Sequence, residues 1–511
     1  MKRIAVISAL MLSVALAACG GGGDSGAPAT TGAGTTGGKN AAGPADGSSG
    51  AAASAPSGAS AAGNGSGAPA AGASGSDNAS GAASAGGASG STASGSTASG
   101  STPSGSTPSG STPSGGSGTG DSGSGAPDAA ASGTAANPGG GATADPGNTV
   151  PVLVSSATGV RNFPLVSVTI CQPNSSARTN CATIDNVLLD TGSFGLRLFA
   201  STIPPATLAA LPVQTDAAGG NRVGVCAAFG SGHTWGSLRN ADVKLSQEIA
   251  AAVPIQVMSD PAIVSATPDA CVWNTALSSP AVLGANGILG IGTARYDCGP
   301  ACAASPLAGY YYADANPAKP VAIPLARQII NPVALFPLDN NGVIVEMPAV
   351  ASRGASSVSG TLTFGVDTQA NNALSGVGAT VLATDSYGNF VAKYSGTSPV
   401  PGFIDSGSNV IFFDDTSIMQ FNGFFAPPGE WTRNVVLNDA TGASESVTVN
   451  IGNAIALLAS PNFAFNNLTA YMAQTVDLGF PFFLGRKVYY GIEGSRSAGG
   501  GTGPYVAYMT R

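Results

Sequence analysis

The chain changes chemical character at Asn148, and that change decides what can fold. From Gly20 to Asn148 it is almost entirely Gly, Ala, Ser, Thr and Pro, with STASG twice and STPSG three times between Ser91 and Gly115. Such a segment buries too little apolar surface to offset the entropy of ordering it. It reads as a disordered tether over 20–148, with a reach of roughly 60 Å. Its one lysine, Lys39, makes it a poor basic inhibitory prosegment. Everything that folds is therefore expected in 149–511, long enough for one large domain or two lobes with a sizeable core.

Residues 1–19 read as an address. Lys2 and Arg3 precede a mostly apolar run from Ile4 to Leu16, the pattern of a secretory signal and short for a spanning helix. Leu16-Ala17-Ala18-Cys19 resembles the lipobox of bacterial lipoproteins, which implies lipidation at Cys19. No Asp follows Cys19, and by resemblance to bacterial sorting signals that favours the outer membrane, facing either the periplasm or the outside. The membrane is thus an expected partner through an N-terminal lipid anchor. The formal net charge of -8, without a basic cluster, argues against nucleic acid. The single histidine, His233, excludes zinc sites built on several histidines. No metal or cofactor is expected.

After Val150, short apolar runs are punctuated by Gly, Pro, Asn and Asp. Phe163 to Ile170, Asn186 to Leu189, Gly360 to Val366, Val447 to Ile451 and Lys487 to Ile492 read as strands of an all-β domain. Ile455 to Tyr471 is ambiguous. With Cys19 set aside, six cysteines remain, and an even number in an exported chain suggests disulfides. Cys171 and Cys181 flank a turn-rich segment, as a hairpin staple would. Cys298 and Cys302 would close a tight loop, leaving Cys226 with Cys271.

Two carboxylates stand at the ends of apolar strands. Asn186-Val187-Leu188-Leu189 leads into Asp190-Thr191-Gly192-Ser193, and Gly402-Phe403-Ile404 leads into Asp405-Ser406-Gly407-Ser408. The tetrapeptide alone is uninformative, since Asp121-Ser122-Gly123-Ser124 in the tether matches it without an apolar strand. Two carboxyls within hydrogen-bonding distance cannot both ionise, so they share a proton. One then serves as base toward water and the other as acid toward a carbonyl. Glycine permits close backbone approach, and the hydroxyls of Thr191, Ser193, Ser406 and Ser408 are candidates to orient the carboxylates. The bland alternative is a pair of turn-initiating aspartates.

These segments resemble the pepsin-like aspartic proteases, and the sequence also resembles a largely uncharacterised bacterial lipoprotein branch with the same layout. Gly287-Ile288-Leu289-Gly290-Ile291-Gly292 resembles the family's strand beside the first catalytic loop. Ser359 to Asp367 resembles the opening of the second lobe, and Leu478 to Leu484, running on to Tyr490, resembles the last such strand. Phe229-Gly230-Ser231-Gly232-His233 resembles the flap hairpin over the substrate. The resemblance implies a bilobal fold with a cleft between two homologous lobes, 149–320 and 321–511. It implies an endopeptidase acting on a peptide or protein substrate through Asp190 and Asp405, as a monomer.

Three positions depart from the pattern. The flap tyrosine falls on Phe229, the tryptophan that partners it falls on Arg197, and an apolar position before the last Leu-Gly falls on Asp477. A catalytically silent module binding a peptide or envelope component in the same cleft is therefore the rival reading. A serine hydrolase relying on His233 is more distant, and His233 itself reads as a surface residue of the flap. Gly290-Ile291-Gly292 lacks the third glycine of a dinucleotide loop. Tyr310-Tyr311-Tyr312 reads as a solvent-washed loop rather than a cleft wall.

Overall fold

The computed structural model describes residues 147–394 and 397–510. The signal-like segment, Cys19 and nearly all of the proposed tether lie outside these residues. Among the described residues the chain is predominantly β, and its α-helices are single short turns such as Pro205–Ala210 and Ala454–Ala459. The expected strands form at Leu165–Cys171, Ala182–Asp190, Val358–Phe364, Ser444–Ile451 and Arg486–Gly491. The ambiguous stretch resolves into the helix Ala454–Ala459 and the strand Thr469–Tyr471.

A 16-stranded sheet dominates the molecule. Six of its strands close into a barrel: Leu165–Cys171, Ala182–Asp190, Gly287–Ile291, Phe194–Phe199, Glu248–Met258 and Gly232–Leu245, the last pairing back onto the first. Closure pairs Gly232–Leu245 with Leu165–Cys171, so neither end of this six-strand set is left as an open edge. Thr149–Val154 joins this barrel to strands from the other end of the chain. It pairs with Val358–Phe364 over six residues and touches Leu165 through Leu153. Gly342–Met347, Arg486–Gly491 and Tyr505–Thr510 continue the sheet beyond it. Strands on both sides of residue 320 thus build one sheet.

A separate 9-stranded sheet carries Asp405. Its centre repeats the wiring of the barrel. Ala182–Asp190 runs parallel to Gly287–Ile291, which is antiparallel to Phe194–Phe199, which is parallel to Glu248–Met258. Likewise Val400–Ile404 runs parallel to Val476–Leu478, which meets Ile411–Phe413 antiparallel, and that strand is parallel to Thr469–Tyr471. The same four-strand unit therefore occurs twice, each time with the aspartate at the end of its first strand. Glycine is required at the crossing. A Cβ on Gly290 would lie 2.5 Å from the Phe194 nitrogen, and one on Gly479 2.1 Å from the Val410 oxygen.

The main core runs through both sheets, from Val152 and Leu189 to Phe413, Leu478 and Val506. Three disulfides join Cys171 to Cys181, Cys226 to Cys271 and Cys298 to Cys302, the pairing expected from the spacings.

Candidate active site

Asp190 and Asp405 come together because each ends a buried apolar strand at a sharp turn. Both are wholly buried. The surroundings of the two carboxyls nearly superimpose chemically. Asp190 accepts from the Gly192 N–H at 2.9 Å and the Ser193 hydroxyl at 2.5 Å. Asp405 accepts from the Gly407 N–H at 2.8 Å and the Ser408 hydroxyl at 3.0 Å. The two carboxyls also hydrogen-bond one another.

The pair is electrostatically unequal. Burial raises Asp190, while the hydrogen bonds from Ser193 and Asp405, the Gly192 N–H and the charge of Arg197 pull it back. Asp405 is raised well above the carboxylate range, first by burial, then by the charges of Asp190 and Asp477. Burial and mutual repulsion leave the pair holding one proton between them.

Thr191 and Ser406 do something other than orient the carboxylates. They lock the two turns to each other, because they lie beside the aspartates and point across the interface. The Thr191 N–H donates to Ser406 Oγ at 3.1 Å, and the Ser406 N–H donates to Thr191 Oγ1 at 2.8 Å. The Ser406 hydroxyl then donates to the Leu189 carbonyl at 2.7 Å. On the other side Thr191 donates to the Tyr490 hydroxyl at 3.1 Å, and Tyr490 passes the bond on to the Ile404 carbonyl at 2.8 Å. Each link ends on the residue preceding an aspartate, so the spacing of the carboxyls is fixed through the backbone.

Asp477 is a third buried acid beside the pair. It sits in the strand Val476–Leu478, opposite Phe403 on one side and Phe412 on the other. The equivalent position of the first unit is Ile288, an ordinary core residue. No well-formed hydrogen bond reaches either Asp477 oxygen, although the Ser408 hydroxyl lies beside it. Burial raises its pKa well above the carboxylate range, Ser408 offsets this in part, and the Asp190 charge adds to the rise. Burial and neighbouring charge thus disfavour ionisation of Asp477.

Next to this cluster is a cavity of about 270 Å³. Ser193, Phe194, Arg197, Phe229, Asp297 and Trp273 are among its walls. Arg197 is buried, donates through Nη1 to Gln256 at 2.9 Å, and meets Asp297 through Nη2 at 3.5 Å. Burial drives Asp297 up to about 6, against the opposing pull of Arg197 and the Tyr311 hydroxyl.

The hairpin of Val223–Phe229 and Gly232–Leu245 forms with Phe229 and Gly232 paired at its tip, bracketing Gly230 and Ser231. Its tip is tied down by Thr275–Ala276, which pairs with Gly232 and His233. The Phe229 side chain is core, packed with Leu188, Phe199 and Ile288, although the residue also borders the cavity. His233 is buried rather than on the surface, because its Nδ1 is held by the backbone of Trp273. The tyrosine run is also not a washed loop. Tyr311 and Tyr312 are buried, with the Tyr311 hydroxyl on Asp297, while Tyr310 borders the cavity. The roles of Tyr490, Gln256, Asp297 and Tyr311 escape sequence reasoning because their partners are distant in the chain. Among the described residues no group of three His, Cys, Asp or Glu side chains is placed to hold a metal.

Fold and site together define an all-β protein built on a repeated four-strand unit, with two buried aspartates joined where the units meet. The chain belongs to the family described as proteins of unknown function, DUF3443, whose model matches residues 144–508. A search of curated proteins finds no match.

Proposed function

We propose that this protein is an aspartic endopeptidase of pepsin-like type, with Asp190 and Asp405 acting in a cleft between two related lobes. The observation that carries the reading is the carboxyl pair itself: two buried, neighbouring acids matched in the N–H and hydroxyl that support each. In this reading ionised Asp190 takes a proton from a water whose oxygen adds to the peptide carbonyl carbon. Asp405 gives its proton to the carbonyl oxygen. Protonation of the amide nitrogen then lets the C–N bond break, releasing an acid and an amine and restoring one proton to the pair. Since both carboxyls are buried, a substrate reaches them only after the cleft opens. The lipobox-like segment supports anchoring through a lipid on Cys19 in a bacterial envelope.

The same burial, with Asp477 adding a third acid, favours a second reading: a silent module that holds a peptide or envelope component. The full-length protein is incubated with an unfolded protein from about pH 3 to about pH 7, beside Asp190→Asn and Asp405→Asn. Cleavage by the wild type that both substitutions abolish supports the endopeptidase. No cleavage by the folded protein at any pH removes it and leaves the binding module.

A further inference from the structure

We propose that the cavity beside Asp190 receives an acidic side chain of a bound peptide, with Arg197 as the cation that recognises it. The proposal rests on the peptide-cleft reading above and adds the class of peptide. Three features of the cavity carry it.

First, the cation is buried and incompletely used. Arg197 Nη1 is engaged by Gln256 and Nη2 reaches Asp297 only at 3.5 Å, while Nε is buried with no hydrogen-bond partner. The residue borders the cavity and its charge is met by one carboxylate at long range, so an acidic side chain entering there meets a cation that is only partly neutralised. Second, the space fits one side chain. About 270 Å³ with Phe194, Ala227 and Val272 in its walls suits a methylene stem, with the Arg197 and Asp297 charges set among mostly apolar walls. Third, position links the cavity to the chemistry. Ser193 borders it and also donates to Asp190, so a side chain seated there brings its own backbone beside the carboxyl pair.

Asp297 competes with the ligand for Arg197. It faces Arg197, the Tyr311 hydroxyl and the Cys298 N–H, and its charge also reaches Tyr387. Because burial lifts it to about 6, it becomes neutral in mild acid and leaves the Arg197 charge to the ligand. The competition is therefore weakest in the acidic range where the carboxyl pair would be expected to act.

The test uses the full-length protein and fluorescent hexapeptides identical except for Glu, Gln or Lys at one scanned position, read by anisotropy. At about pH 5 the Glu peptide is expected to bind about tenfold more tightly than its Gln counterpart at one position. Arg197→Met is expected to erase that difference. Should Arg197→Met fail to fold, Asp297→Asn serves: with the competitor gone, Glu-peptide affinity at neutral pH rises several-fold. Equal binding of Glu and Gln peptides at every position, or a Glu preference that survives Arg197→Met, overturns the proposal. So does an unchanged Glu-peptide affinity in Asp297→Asn. Glu-selective binding without cleavage upholds this pocket while removing the endopeptidase reading. Cleavage without acidic preference does the reverse.

Discussion

Replacing Asp477 by valine should make the protein more stable, by an amount that depends on pH. The residue is wholly buried, paired along the sheet with Phe403 and Phe412, and neither of its oxygens has a well-formed hydrogen bond. Valine has a similar branched shape, suits a strand, and restores the apolar character found at Ile288 in the first unit. Removing an unpaired buried polar group is worth about 1–3 kcal/mol. The acid's folded pKa lies above its unfolded value, so its penalty is absent below about pH 4 and grows as pH rises. Wild type therefore loses about 1.4 kcal/mol per pH unit through this group while it stays protonated only in the folded state. Asp190 and Asp405 are also raised, but they remain in both proteins, so the difference isolates Asp477 and its repulsion of them. Denaturant melts at about pH 4 and about pH 7 check this. The variant should be the more stable by about 1–3 kcal/mol at neutral pH, and the gap should narrow toward about pH 4. A variant that melts lower at neutral pH, or a gap that is the same at both, refutes the reasoning.

Other expectations rest on the same structure. Tyr490→Phe breaks the relay from Thr191 to the Ile404 carbonyl; it should cost about 1–3 kcal/mol in urea titrations and depress any cleavage activity. Arg239→Met strands the buried Asp260 carboxylate, and chemical denaturation should show a loss of about 3–5 kcal/mol at neutral pH. Burial pushes Asp260 up, but Arg239 and Ser237 outweigh it and hold the pKa below normal. The pair's contribution is thus present above about pH 4 and fades as pH falls further, so the deficit of Arg239→Met should shrink in acid. Among the disulfides, loop entropy ranks the 45-residue Cys226–Cys271 closure above the 10-residue Cys171–Cys181 one. Paired Cys→Ala variants should lose about 4 and about 3 kcal/mol respectively, read by thermal melts without reductant.

The two aspartates were legible in the sequence because each closes an apolar run at a glycine turn, a local pattern with a local cause. The strands and the cysteine pairing were legible for the same reason. Thr191 and Ser406 were recognisable as hydroxyls near the carboxylates, yet their work is to cross between units, and direction across an interface leaves no trace in a tetrapeptide. Asp477 was visible as a polar residue in an apolar run, while its place beside Asp405 depends on the parallel register of two short strands. Asp297 was hidden entirely, and Tyr311 was visible only as part of a tyrosine run read as loop. Their hydrogen bond and the Arg197 ion pair need strands from separate parts of the chain to meet.

The strand Thr149–Val154 has a consequence for how the molecule comes into being. It is the first described strand, yet its main partner is Val358–Phe364, and the neighbouring Asn148 side chain bonds a carbonyl 216 residues further on. At roughly 5–20 residues per second, that partner is made roughly 10–40 s after the strand itself. During that interval a row of valine and leucine side chains and unmatched amides waits without its mate. The opening strand of the fold is thus without its main partner until synthesis has passed residue 364, a delay that a local hairpin would not impose.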